Sequence, residues 1–151
     1  MDNIKFRGKR KDNGEWVYGY YFFPPDGKSY IISGDTRVYQ ERDDTCDVPC
    51  LHTYHNVIDY FPEVLPKTVG MFTGLHDKND KEGFQKDIVQ ILKNIYVIEW
   101  DTCNACFYLK STDRQKSYLT INNLLAGIVI GNIHQNPELL KENDNDNKTI
   151  T

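Results

Sequence analysis

LHDKNDKEGFQKDIV, residues 75–89, admits two readings: a loop that holds an ion, or a polar turn that feeds the chain into a buried strand. A calcium loop of the EF-hand kind needs oxygen ligands at its first, third and fifth positions, Gly at the sixth and Glu at the twelfth. Counted from Asp77, the last three of these are Lys81, Glu82 and Ile88, so a cation stands where a ligand belongs. The turn reading has a positive argument. Asp and Asn side chains bond to backbone close by and tolerate left-handed conformations, and Asp77, Asn79 and Asp80 sit together just before the apolar run of Ile88–Leu92. Asp77–Lys81 is therefore read as a turn, and Asp87-Ile88-Val89 as the entry to a buried strand. Asp144 and Asp146, the other acidic pair with calcium-like spacing, lack a glycine and flanking helices and fail in the same way.

On either side of this junction the pattern is that of strands. Thr68–Phe72, Asp87–Leu92, Tyr96–Trp100, Phe107–Leu109 and Ile128–Ile133 are short apolar runs separated by Asp101, Asn104 and Asp113, which favours antiparallel meanders over alternating strand and helix. That is the grammar of a barrel or sandwich. Helix is limited to a turn near Thr120–Leu125 and a short segment opened by Asn136-Pro137-Glu138, where Asn can cap and Pro suits the first helical position. At the amino end Phe6 and Ile4 alternate with Lys5, Arg7 and Lys9, and Asn13-Gly14 is a hairpin turn leading to Trp16–Phe23. Ile4 and Phe6 are expected to pack inward, with Trp16, Tyr18 and Tyr20 sharing one face of the second strand. Tyr30–Ile32 and Val57–Phe61 read as short strands, whereas Asp35–Cys50 has no sustained periodicity and reads as a long polar excursion. Residues 143–149 have nothing apolar to bury and read as a frayed end.

Composition limits what such a chain does. Net charge is −4, but residues 1–11 carry +4, leaving −8 for the rest; broad nucleic-acid binding across the whole surface is disfavoured, because an acidic surface repels phosphate. The apolar runs are too short to span a bilayer and no signal-like segment follows the first charged residues, so a cytoplasmic protein with no membrane partner is expected. Cysteines there are reduced thiols or metal ligands.

Cys103-x-x-Cys106 has zinc-knuckle spacing, and Cys46-x-x-x-Cys50 with His52 and His55 adds soft donors, so a site built from Cys46, Cys50, Cys103 and Cys106 is conceivable if the segments meet. Plain thiols are the simpler reading, since Cys106 begins a strand where a small apolar side chain serves. Cys50 beside His52 and His55 lacks an orienting group for nucleophilic catalysis, and Gly70-x-x-x-Gly74 lacks the Lys-Ser/Thr of a phosphate loop. No catalytic residue, metal or cofactor is expected. The best candidate binding surface is the basic and aromatic hairpin: Lys5, Arg7, Lys9, Arg10, Trp16, Tyr18 and Tyr20. Tyr, Trp and Arg are favoured in protein interfaces, and basic plus aromatic surface also suits single-stranded nucleic acid.

Three blocks, Lys5-Phe6-Arg7-Gly8-Lys9-Arg10 before Trp16-Val17-Tyr18-Gly19, then Thr68-Val69-Gly70-Met71-Phe72-Thr73-Gly74-Leu75, then Ile130-Gly131-Asn132-Ile133 before Asn136-Pro137-Glu138-Leu139-Leu140, resemble the YopX family in the family's order. That family consists of small proteins of phages and prophage-like elements. The resemblance implies a mostly β (α+β) fold: an amino-terminal, hairpin-containing oligomerisation region over residues 1–65, an SH3-like β-barrel over 66–142, and a flexible tail over 143–151. It implies no catalytic residue and no cysteine quartet. It also implies a non-enzymatic accessory protein that binds a host or phage protein and forms a homo-oligomer; nucleic acid bound by the basic hairpin is the alternative.

The chain departs from that pattern inside the opening stretch. Asp80 and Lys86 stand where the family prefers glycine, and Gly83 is a glycine the family lacks. Asp accepts positive φ more readily than Lys, so altered geometry is expected at Lys86.

Overall fold

The computed structural model describes residues 4–33, 38–43, 53–58, 61–113 and 117–140, the backbone alone for 38–43 and 53–58. Two compact units result: Lys5–Val69, and a second that begins at Gly70. Both are mostly β.

In the Lys5–Val69 unit, β1 (Phe6–Lys9), β2 (Trp16–Phe22), β3 (Ser29–Ile32), β4 (Val38–Asp43), β5 (Thr53–Ile58) and β6 (Glu63–Val64) follow in order, with a 3-10 turn at Pro66–Thr68. The hairpin predicted around Asn13-Gly14 forms: Arg7 lies opposite Tyr18, Gly8 opposite Val17, and Gly14 takes φ +73°. Strands β6, β3, β2 and β1 lie side by side in that order, all antiparallel. Val17, Ile31 and Val64 form their buried centre, with Phe6 and Val69 packed against it. Gly19 has no room for a side chain, since a Cβ there would lie 1.9 Å from the Ile32 carbonyl oxygen. Phe6 packs inward as expected, but Ile4 is 66% exposed; it precedes β1 and has no strand to fix its face. The polar excursion expected from Asp35 is in part a ribbon, with β4 and β5 paired antiparallel from Val38 opposite Ile58 to Asp43 opposite Thr53.

The second unit holds β7 (Gly70–His76), β8 (Glu82–Phe84), β9 (Asp87–Ile91), β10 (Asn94–Asp101), β11 (Cys106–Ser111), β12 (Tyr118–Thr120) and β13 (Ile128–Asn132). Strands β9 to β12 are a meander, and β13 returns to pair with β9, giving the order β12-β11-β10-β9-β13; β7 pairs with β8. Among the described residues the pairings leave this sheet open, without the closure of a barrel. Both helical segments predicted here exist as 3-10 turns, Ile121–Ala126 and Pro137–Leu140. The core is Val89, Tyr96, Ile98, Leu109, Leu124 and Val129, covered by Leu75, Ile91, Phe107, Leu119 and Ile121. Each fully buried aliphatic side chain among them stabilises by about 1.5–3 kcal/mol.

The 75–89 stretch is a junction with two buried carboxylates. Asp77 closes the predicted turn: one carboxylate oxygen accepts the N–H groups of Asn79 at 2.8 Å and Lys81 at 2.9 Å. Its other oxygen accepts the Val129 N–H at 2.8 Å, and the Lys81 ammonium donates to the Val129 carbonyl at 3.1 Å. β13 is an edge strand, and it is bulged between Val129 and Gly131; the turn thus supplies partners to backbone groups that lack a neighbouring strand. The oxygens proposed for calcium are spent on N–H groups.

After β8 the chain turns again. Asp87, 1% exposed, accepts the Phe84 N–H at 2.9 Å, and Asn132 donates to its other oxygen at 3.3 Å. Lys86 has φ +72° and Asp80 φ +64°. The altered geometry expected at Lys86 is therefore absent. Its N–H donates to Ile98 and its carbonyl accepts from Ile133 and Asn132, while its ammonium pairs with Glu99. These bonds hold a lysine where glycine is easier. Gly83 is gained for packing: a Cβ there would lie 2.4 Å from the buried Leu124 side chain.

Candidate functional site

The hairpin of the Lys5–Val69 unit brings its basic and aromatic residues onto one face, because side chains two apart along a strand point the same way. Trp16, Tyr18, Tyr20 and Phe22 line β2, and Arg7 and Lys9 sit opposite Tyr18 and Trp16 on β1. The cations lie over the rings. The Arg7 guanidinium is 4.6 Å from the Trp16 ring centre, the Lys9 ammonium 5.8 Å from the same ring, and the Lys5 ammonium 5.6 Å from Tyr18. Such contacts are worth about 0.5–1 kcal/mol at exposed sites and more when desolvated.

Their positive charge is largely engaged. Arg7 is only 7% exposed. Arg10 makes a forked pair with Asp12, at 3.0 and 2.6 Å, and Lys11 meets Glu63 at 2.7 Å. The Arg10 hydrogen bond holds the Asp12 carboxyl below the usual carboxylate range, and the Glu63 hydrogen bond raises the Lys11 pKa. Of the basic residues singled out from sequence, Lys5 and Lys9 keep to the rings and Arg10 to its own turn.

Aromatic surface is more extensive than the sequence reading proposed. Tyr18, Tyr20 and Phe22 are 42%, 57% and 41% exposed. Phe22 also stacks with Phe61 at 5.8 Å and meets Tyr30 at 6.4 Å, continuing the row across β3. Tyr30 and Phe61 were missed because the segments after Phe23 gave no register; Phe22 was within reach of the alternation Trp16-x-Tyr18-x-Tyr20-x-Phe22.

Among the described residues the zinc reading finds no assembled site. Cys103 and Cys106 are exposed thiols at the tip of the β10–β11 hairpin. Asp101 accepts the Cys103 N–H there at 2.8 Å, and Ala105 takes φ +49°. Cys46, Cys50 and His52 lie outside the described residues, as does the side chain of His55. Among the described residues no three His, Cys, Asp or Glu side chains come together as metal ligands, and no helix is long and apolar enough to cross a membrane.

Comparison with known proteins bears on the fold and the family. The crystal structure of protein EF1440 from Enterococcus faecalis is similar to this chain with a TM-score of 0.55 and 23% sequence identity, over 93% of this chain and 99% of that one. At that identity the likeness is one of fold. No curated protein matches. The model of the family described as YopX protein matches residues 5–141; with nearly the whole chain covered, and the hairpin and the 75–89 junction both inside the match, this chain belongs to the YopX protein family.

Proposed function

We propose that the protein is a non-enzymatic accessory protein of phage or prophage type that acts in the cytoplasm by binding protein, a second copy of itself included, through the aromatic face of the Lys5–Val69 unit. The observation that carries this reading is the row Tyr18, Tyr20 and Phe22, each about half exposed on one face of β2 and extended by Tyr30 and Phe61. Contiguous exposed aromatic surface is costly for a monomer and is enriched where proteins meet. In this reading the unit from Gly70 is a variant of the SH3-like barrel whose sheet stays open; the β9–β12 meander, the 3-10 turn before β13 and the return of β13 to β9 are what favour it.

Sedimentation over a concentration series tests self-association. The wild type is expected to associate at micromolar concentration, and Tyr20→Ser to weaken association about tenfold or more, as loss of a central interface aromatic does. A wild type that stays monomeric at several hundred micromolar would remove the claim.

Nucleic-acid binding is the second reading, favoured by Lys5 and Lys9 lying over Tyr18 and Trp16. The buried Arg7 and the paired Arg10 and Lys11 leave it few cations for phosphate. It requires a single-stranded oligonucleotide to bind with affinity that falls as salt rises; no binding in low salt rejects it.

A further inference from the structure

The tip of the β1–β2 hairpin carries Asn13-Gly14, the only Asn-Gly pair in the chain. In such a pair the backbone amide can attack the side chain before it, because glycine has no Cβ to hinder the approach. The Gly14 nitrogen loses its proton and adds to the Asn13 Cγ, the side-chain nitrogen leaves as ammonia, and a five-membered succinimide closes. Water then opens either C–N bond of the ring, giving aspartate or isoaspartate. Asn13, Gly14 and Glu15 are all exposed, so water, the one co-reactant, reaches the tip freely.

In the folded hairpin the atoms of that step are held. The Gly14 N–H donates to the Arg10 carbonyl at 3.0 Å, which keeps the proton on the attacking nitrogen and fixes its peptide plane. One residue holds the Asn13 carboxamide at both ends: its oxygen accepts the Glu15 N–H at 3.0 Å, and its nitrogen, the leaving group, donates to a Glu15 carboxylate oxygen at 2.8 Å. Asp12 accepts the Asn13 N–H at 2.8 Å and is itself forked by Arg10. The Arg10 N–H closes the turn on the Glu15 carbonyl at 2.8 Å.

We propose that Asn13 is a deamidation site whose rate is set by opening of the hairpin tip, with Glu15 as the residue that holds it closed. Attack requires the carboxamide to swing over the Gly14 nitrogen, which breaks its bonds to Glu15 and the Gly14 bond to Arg10 together. The products differ from asparagine in ways the hairpin registers. Aspartate adds a negative charge between Asp12 and Glu15. Isoaspartate adds an atom to the backbone of the turn and so disturbs the pairing of Lys9 with Trp16, on which the placement of Lys9 and Arg7 over that ring depends. The site is independent of what the aromatic face binds.

The test incubates the full chain at mildly alkaline pH, folded and in concentrated urea, and follows by mass spectrometry the tryptic peptide 12–28, which gains one dalton on deamidation. The folded wild type is expected to deamidate about tenfold or more slowly than the unfolded chain. Glu15→Ala, at an exposed position, is expected to deamidate about threefold faster than the wild type while both are folded. Glu15→Gln keeps a side-chain oxygen for the Asn13 amide and is expected to match the wild type. Equal rates in the folded and unfolded chain, or a Glu15→Ala rate no higher than that of the wild type, would overturn the proposal. So would a Glu15→Gln rate as high as that of Glu15→Ala, because the charge of Glu15 and not its hold on the amide would then set the rate.

Discussion

Asp77 does the most with the fewest atoms. It is 5% exposed and its two oxygens accept three backbone N–H groups, two from its own turn and one from Val129, fifty-two residues away in sequence. Asparagine keeps the acceptor for the turn but points an amide N–H at the Val129 N–H. Asp77→Asn should therefore destabilise by about 2–3 kcal/mol, the cost of losing a charged acceptor and leaving a buried donor unpaired, measured by urea denaturation. The pH dependence has a definite sign. Burial pushes the Asp77 pKa up, but the Val129, Lys81 and Asn79 N–H groups and the Lys81 charge outweigh it and leave the carboxyl below its ordinary value. The stability it contributes is full above the unfolded pKa of about 3.9 and is lost as pH falls from there through the lower folded value. The variant should consequently lose less stability than the wild type on acidification below about pH 4. The turn itself was legible from Asp77-Lys78-Asn79-Asp80. Its bond to Val129 was not, because one sequence carries no record of which distant backbone needs a partner.

At the scale of elements, β8 shows how a departure from family pattern becomes packing. This strand, Glu82–Phe84, is short enough to vanish into a polar turn when read by periodicity, yet it carries Phe84 into the core at 1% exposure. Gly83 lets Leu124 close over it. Gly83→Ala should cost about 1–3 kcal/mol, since the added methyl displaces a fully buried side chain; a lower urea midpoint with an unchanged slope would report it. An unchanged midpoint would mean that Leu124 moves freely. Strand β12 escaped the sequence reading for the same reason as β8: three residues contain too little alternation to distinguish a strand from a turn. The longer β9, β10 and β11 were located correctly because their apolar runs are flanked by turn residues. Arg7 failed at this scale too, having been treated as surface when β1 and β2 place it over Trp16 and out of solvent.

For the whole molecule, the fold and the candidate surfaces were legible to different degrees. The three sequence blocks pointed to the YopX family, and the family model covers residues 5–141. The hairpin face was visible in the alternation of Trp16, Tyr18 and Tyr20. The contact of Tyr108 with Tyr118 was not, since the two come from different strands and meet only once the register is fixed. The central functional claim is that copies of this chain meet through the aromatic row of β2. Hydrogen exchange recorded at low and high protein concentration tests it directly, because association protects only what it covers. The account predicts added protection at high concentration in Trp16–Ile32 of the wild type, diminished in Tyr20→Ser. Protection that does not change with concentration, or that increases only in the unit beginning at Gly70, would contradict it.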